Sequence, residues 1–280
     1  MMEKRIIKLW PQDDTVSLTC FQGEGDGPAI LILPGGGYNT CAPFEGDPVG
    51  ERFVELGYRS YVLRYSTRFT TFENMGGALN LHTLFPEPLQ QVAAAMKFIR
   101  SEHPEIPVAV AGFSAGGHLA SCYGNLWNTE DVDGPQPAAV ILGYAATELT
   151  QDEIIMKAIY GEKESYSDEE IHRYMVKELI GTHTPPTFLF HSVTDPMVPA
   201  RESVEYAQAL DQAGISYELH LFGTGGHAYS LADGKPMAAW VTMADTFVKN
   251  VLSNPLDYDK EEYIRQARAR MNRHGPGVRR

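Results

Sequence analysis

At 280 residues with a formal net charge of −13, the chain repels polyanions, which argues against a nucleic-acid partner or an anionic membrane surface. Its 43% hydrophobic and 21% charged residues are ordinary for a globular fold and supply enough apolar side chain for a large core. No apolar run is long enough to span a bilayer, and the first ten residues hold no uninterrupted apolar stretch of the kind a secretion signal needs. Three widely spaced cysteines, Cys20, Cys41 and Cys122, with no C-x-x-C pair, fit a reducing, cytoplasmic compartment.

Residues 3–10 and 15–21 alternate loosely between apolar and polar on either side of Pro11-Gln12-Asp13-Asp14, and read as an antiparallel hairpin at a sheet edge. Residues 29–33 are wholly apolar, as in a strand buried on both faces. That strand runs into Pro34-Gly35-Gly36-Gly37-Tyr38. Three glycines directly after a buried strand leave backbone N–H groups bare beneath whatever lies above the sheet, which is how an acyl-transfer oxyanion hole gains a donor. A plain flexible turn is the alternative. Residues 49–56 have the pattern of an amphipathic helix, with Pro48 in its first turn and Gly57 closing it, and Glu45 and Asp47 are expected to serve its N-terminus, with a substrate contact as the alternative. Residues 58–65 form another strand. Residues 67–83, with Phe69, Phe72 and His82, are irregular and aromatic and read as a pocket rim or a surface loop. Residues 86–100 form a helix that lies against the sheet.

Val108 to Ala111 is an apolar run bounded by Pro107 and Gly112, and residues 115–123 place small and apolar side chains at helical spacing. Between this strand and this helix stands Gly112-Phe113-Ser114-Ala115-Gly116, a match to G-x-S-x-G. In that pattern a sharp turn lifts the serine Oγ above the sheet, and the glycines are needed because a Cβ on either side would crowd the turn. The N–H of Ala115, at the helix start, faces the place where an oxyanion would form. A glycine-rich chain can produce such a pentapeptide by chance; the strand before it and the helix after it are the context the motif demands.

Together, Pro34-Gly35-Gly36-Gly37-Tyr38 and Gly112-Phe113-Ser114-Ala115-Gly116-Gly117-His118 resemble the α/β-hydrolase esterases, in particular the branch that includes acetyl-xylan and other carbohydrate esterases. The resemblance reaches to about Val251. It implies an α/β-hydrolase fold with a mostly parallel central sheet, helices on both faces and a small helical cap. It further implies a serine esterase for short-chain, above all acetyl, esters of sugars or oligosaccharides. Carried over position by position, the oxyanion donors are the N–H groups of Gly36 and Gly37 beside that of Ala115. One departure stands out: the His-Gly-Gly-Gly common in lipases is here Pro-Gly-Gly-Gly, so any bracing of the loop by that histidine must come from elsewhere.

Residues 138–142 are the next strand, and the regular alternation of strand and helix to this point calls for a mostly parallel sheet. Residues 144–184 exceed an ordinary connection and are expected to insert a cap over Ser114. Within them, 154–160 reads as a helix, and Ser167-Asp168-Glu169-Glu170 is a capping box opening a second helix to Leu179. Met156, Tyr160, Tyr174 and Met175 are candidates for the cap's inward face, with core packing as the alternative.

Residues 187–191 are a strand leading into Ser192-Val193-Thr194-Asp195-Pro196-Met197-Val198-Pro199. Asp195 stands where the family's acid sits. It could instead cap the helix 200–213, but Val198-Pro199 separates it from that helix, and Glu202 already supplies a negative charge to the first turn. After the last strand, 216–222, Gly223-Thr224-Gly225-Gly226-His227 presents a histidine in a glycine-rich loop. Of nine histidines, His82, His103, His172 and His183 precede the acid and break the Ser, Asp, His order; His118 lies inside a helix, His191 and His220 lie within strands, and His274 lies in a charged tail. His227 remains as the base. Residues 237–251 form a closing helix, so 1–253 read as one domain with a cap insertion at about 144–184, followed by a charged tail, 254–280, with seven Lys and Arg.

The resulting site residues are Ser114 as nucleophile, His227 as base, Asp195 as acid, and Gly36, Gly37 and Ala115 as oxyanion donors. No metal or cofactor is called for. The expected partner is a small-molecule ester, with a homo-oligomer possible in principle. A serine peptidase or aminoacyl hydrolase of the same fold, or a non-catalytic hydrolase-like binding protein, stand as alternatives.

Overall fold

The computed structural model describes residues 3–21, 23, 26–69, 84–150, 154–253, 264–265 and 268–269. Its frame is an open sheet of eight strands: β1 (Lys4–Lys8), β2 (Ser17–Phe21), β3 (Ala29–Leu33), β4 (Arg59–Arg64), β5 (Val108–Phe113), β6 (Ala139–Gly143), β7 (Thr187–Ser192) and β8 (Tyr217–Phe222), in the order β1-β2-β4-β3-β5-β6-β7-β8. The first two strands pair antiparallel, and from β4 to β8 every pairing is parallel. The edge hairpin and the mostly parallel sheet are as the sequence led us to expect.

Between residues 47 and 253 the described residues form seven α-helices: α1 (Asp47–Glu55), α2 (Glu87–Glu102), α3 (Ala115–Leu126), α4 (Ile154–Tyr160), α5 (Asp168–Arg173), α6 (Arg201–Gln212) and α7 (Trp240–Ser253). Period-two alternation along the strands sorts their side chains between two cores. In β3, Leu31 and Leu33 join the layer built with α2, α3 and α6, while Ile30 and Ile32 join the layer built with α1 and α7. The central strands are apolar throughout because both faces are covered: all five residues of β3 and all six of β5 are buried.

The strand order reverses direction between β3 and β5. The chain leaves β3 to one side, toward β4, and leaves β5 to the other, toward β6. Loops at the carboxyl ends of two such neighbours diverge and open a crevice. That crevice brings the glycine loop after β3 beside Ser114 after β5.

Some expected elements differ in detail. The helix opening at Ser167 has its capping box, with Glu170 N donating to Ser167 Oγ and Ser167 N donating to Glu170. It ends at Arg173, however, and a single 3-10 turn, Val176–Glu178, follows. The carbonyl of Tyr174 accepts from His118 Nε2 at 3.0 Å, so this backbone is held by α3 instead of continuing the helix to Leu179. Met156, Tyr160, Tyr174 and Met175 pack into the core on the α3 side of the sheet. The closing helix begins at Trp240, after a 3-10 turn at Pro236–Ala239. Phe72 and His82 of the aromatic segment, and most of the tail beyond residue 253, lie outside the described residues. Among the described residues no helix is long and apolar enough to cross a membrane.

Candidate active site

Ser114 follows the last residue of β5 and precedes the first of α3, with φ 51° and ψ −120°. A non-glycine residue at positive φ is strained, and such strain persists only where the surroundings enforce it. Here they do. Ser114 N donates to Gly143 O at 3.0 Å, and Ser114 O accepts from His118 N at 3.0 Å and Ala146 N at 3.2 Å. The motif glycines are required by close approach: a Cβ on Gly112 would stand 2.1 Å from Gly116 O, and one on Gly116 would stand 2.2 Å from Leu33 O. Helix α3 can therefore press against the ends of β3 and β5. Tyr38, Tyr144 and Ala228, in the segments after β3, β6 and β8, also have positive φ.

The structure brings together the three side chains singled out along the chain. His227 Nε2 lies 2.8 Å from Ser114 Oγ, and His227 Nδ1 lies 2.8 Å from Asp195 Oδ2. The Asp195 side chain is fully covered and that of His227 is 7% exposed. Asp195 does not cap α6, whose N-cap is Ala200 with no side-chain bond. Its Oδ1 accepts instead from Met197 N at 2.8 Å and Val198 N at 3.0 Å. Burial alone would raise the pKa of Asp195, but hydrogen bonds from His191, His227 and these two amides reverse it and hold the carboxyl well below the usual range.

The glycine loop folds back on itself: Gly35 O accepts from Ala42 N at 2.9 Å, and Gly36 O accepts from Asn39 N at 3.0 Å and Thr40 N at 3.3 Å. Gly36 has φ 121° and a Cβ there would stand 2.2 Å from Thr40 O, so this position admits only glycine. Gly36 and Gly37 line the same cavity as Ser114 and His227. Ala115 is fully buried at the first position of α3, where N–H groups have no intrahelical acceptor. The cavity has a volume of about 490 Å³, and Ile154, Ile155, Met197 and Val198 are among its apolar lining.

His118 faces away from Ser114, as its place in the helix suggested. It sits between Tyr38 OH, 2.9 Å from Nδ1, and the Tyr174 carbonyl, and burial lowers its pKa to about 4. It is neutral, with the proton on Nε2 facing that carbonyl.

Three side chains have roles that sequence reasoning missed. Glu45 does not serve the N-terminus of α1, whose N-cap is Gly46 with no side-chain bond; it is 1% exposed, lines the cavity, and accepts from Gly35 N and Tyr144 OH. Asp47, expected beside it in the same role, does stand in the first turn of α1, and it also binds Lys4 at 3.0 Å. Glu202 lies in the first turn of α6 but turns its carboxylate toward the loop after β6, accepting from Thr147 N at 2.7 Å and Glu148 N at 3.0 Å. Those buried amides lack a strand partner and need an acceptor. Burial raises the pKa of both carboxyls. His191, set aside as a strand residue, reaches Asp195 Oδ2 with Nε2 at 3.2 Å; the spacing His191-x-x-x-Asp195 across a strand end was the signal available. Among the described residues no group of three or more His, Cys, Asp or Glu side chains is arranged to hold a metal ion.

A doubly covered parallel sheet, a strained serine between β5 and α3, and a glycine loop across the switch point define an α/β hydrolase. The BD-FAE family profile matches residues 22–210, and the chain belongs to that family. It is 27% identical over 231 residues, 75% of its length, to endo-1,4-beta-xylanase B of Butyrivibrio fibrisolvens, and 25% identical over 232 residues, 78% of its length, to an acetylxylan esterase of Xylanibacter ruminicola. It spans 34% and 44% of those two relatives. Among solved structures, an acetyl ester-xyloside bifunctional hydrolase from Caldicellulosiruptor lactoaceticus superposes with a TM-score of 0.74 at 26% identity, over 88% of this chain and 96% of that one.

Proposed function

We propose that the chain is a carboxylic ester hydrolase that removes short acyl groups, acetyl above all, from sugars or oligosaccharides through a Ser-His-Asp triad. The observation that carries the reading is the continuous hydrogen-bonded line from Asp195 through His227 to Ser114 Oγ, both links at 2.8 Å, at the wall of a cavity. Ser114 Oγ attacks the ester carbonyl while His227 Nε2 takes its proton, and Asp195, accepting from Nδ1–H, holds the imidazole tautomer and stabilises its cation. The tetrahedral oxyanion is received by N–H groups of Ala115 and of Gly36 or Gly37, each worth about 3 kcal/mol of barrier. Expulsion of the alcohol, which takes its proton from His227, leaves an acyl-enzyme; water activated by the same histidine then releases the acid. The acetyl and sugar parts of the reading draw on the acetylxylan esterase and the acetyl ester-xyloside hydrolase named above. The segment 144–184 serves as a small cap, supported by Ala146, Ile154 and Ile155 at the cavity wall. Cys20, Cys41 and Cys122 as free thiols support a reducing, cytoplasmic setting.

The test is release of acetate from an acetylated xylo-oligosaccharide and from p-nitrophenyl acetate, with an aminoacyl p-nitroanilide in parallel. The wild type should hydrolyse both esters and spare the anilide, and Ser114→Ala should lose at least about a thousandfold in kcat. Turnover retained by that variant would end the proposal.

A further inference from the structure

Two loops must hold still relative to Ser114 while charge develops: the glycine loop after β3 and the histidine loop after β8. One buried carboxylate ties them together. Glu45 Oε2 accepts from Gly35 N at 2.8 Å, and Oε1 accepts from Tyr144 OH at 2.7 Å. The Tyr144 oxygen in turn accepts from Ser230 N at 2.9 Å, three residues beyond His227, and Ser230 Oγ donates to the carbonyl of Phe44 at 2.5 Å. The Tyr144 ring packs edge-to-face on the His227 imidazole with 5.1 Å between centroids. The circuit therefore runs from the glycine loop through Glu45 and Tyr144 to both the backbone and the ring of the histidine segment.

The circuit is specific to a carboxylate. Gly35 N–H can only donate, and the Tyr144 oxygen accepts from Ser230, leaving its own proton to point at Glu45. Two donors converge on one side chain, so both of its terminal atoms must accept; a glutamine would turn its NH₂ against one of them. Packing leaves little slack: a Cβ on Gly35 would stand 2.7 Å from Glu45 Oε2 and 2.9 Å from Ser114 Cβ. Burial works against the charge of Glu45, while Tyr144 OH, Gly35 N–H and a positive His227 favour it. A negative charge held here lies within electrostatic reach of the imidazole that becomes positive when Ser114 gives up its proton.

Resting on the reading of Ser114 as an esterase nucleophile, we propose that Glu45 is a positioning residue of the reaction. Through Gly35 and Tyr144 it sets the glycine loop and His227 at fixed distances from Ser114, and it supplies the bracing that a Pro-Gly-Gly-Gly loop cannot draw from a preceding histidine. In this role it acts through Gly35 and Tyr144, whose hydrogen bonds it accepts. Its effect is on the transition state, where the oxyanion donors and the imidazolium must both be in place.

The experiment compares the wild type with Glu45→Gln, Tyr144→Phe and the double variant. A chromogenic phosphonate that labels Ser114 counts functional sites, p-nitrophenyl acetate gives kcat and KM, and a trifluoromethyl ketone, whose hemiketal oxyanion fills the oxyanion hole, gives Ki. Each single variant should lose about 10- to 100-fold in kcat per labelled site, with KM within about twofold and Ki weakened by a similar factor. The double variant should be no worse than the poorer single one, because either change breaks the same circuit. A merely structural Glu45 would lower the unfolding temperature and leave kcat per labelled site unchanged; that result, or losses that multiply in the double variant, overturns the proposal. Should Glu45→Gln fail to fold, Tyr144→Phe decides on the same readouts. A wild type that neither labels nor turns over ester sinks the esterase reading itself and this inference with it, whereas an active wild type with unaffected variants sinks the inference alone.

Discussion

His191 Nε2 lies 3.2 Å from the same Asp195 oxygen that His227 Nδ1 reaches at 2.8 Å. The Val198 carbonyl, an acceptor, stands 3.0 Å from His191 Nε2 as well, so this nitrogen carries the proton, and Nδ1 accepts from Ser203 OH at 2.7 Å. Asp195 thus receives four donors: two imidazoles on Oδ2 and the amides of Met197 and Val198 on Oδ1. A carboxylate so encased has one orientation and one charge state, which is what a partner for His227 needs.

His191→Leu should therefore lower kcat about tenfold with little change in KM. A hydrogen bond to a charged group contributes about 1.5–3 kcal/mol, and part of that is expressed in how Asp195 aims His227. Steady-state kinetics on p-nitrophenyl acetate, normalised to phosphonate-labelled sites, checks it; an unchanged kcat would show that the two amides alone suffice to orient the acid.

The lowered pKa of Asp195 predicts an acid limb in stability. A carboxyl whose folded pKa lies below its unfolded value, near 3.8, contributes stability that is present above that unfolded value and is lost as pH falls through the folded one. Glu45 and Glu202 have raised values and act with the opposite sign, their contribution being complete below about 4.5 and lost as pH rises through the folded pKa. Urea unfolding from pH 2.5 to 6 should show stability rising through the lower part of this range in the wild type, and a shallower rise in Asp195→Asn.

Gly116→Ala should destabilise the fold by more than about 2 kcal/mol, because its Cβ would meet the backbone oxygens of Leu33 at 2.2 Å and Pro34 at 2.4 Å, which cannot move aside without parting β3 from α3. Gly223→Ala is the control: nothing lies within 4 Å of a Cβ there, and its stability should stay within about 0.5 kcal/mol of the wild type. Urea midpoints at equal slope measure both.

The apolar cavity lining that includes Ile154, Ile155, Met197 and Val198 should set acyl length. Ile155→Trp is expected to reduce kcat/KM for p-nitrophenyl butyrate several-fold more than for the acetate, as added ring volume fills space that only the longer chain uses. Equal losses on both esters would place the acyl group elsewhere in the cavity.

Much of this molecule could be read before any coordinates, and the reason is local. A buried strand, a strained Ser114 and the start of α3 occupy consecutive residues, so glycine spacing reports the turn directly, and the three glycines after β3 report their loop in the same way. Asp195 and His227 were legible because each follows a strand in a loop punctuated by proline or glycine, and strand order along the chain constrains which loops share an edge. The reading of Glu45 as a helix-terminus charge failed, because its carboxylate turns to Gly35 N and Tyr144 OH. Glu202 does stand in the first turn of α6 as read, but its bonds to Thr147 N and Glu148 N, brought near it by a different part of the chain, were not foreseen.

The amino-acid sequence by itself determined the strands, the elbow and the loops that carry Asp195 and His227, because those follow from periodicity, φ preference and the needs of neighbouring backbone. Only the tertiary structure decided that Glu45 answers Gly35 and Tyr144, and that His191 shares Asp195 with His227. Tyr144 is 99 residues from Glu45 along the chain, and His227 is 113 from Ser114. Hydrogen bonds over such separations are set by sheet order and register, which place the strand ends side by side, and no local pattern encodes which of several buried donors a carboxylate will meet there.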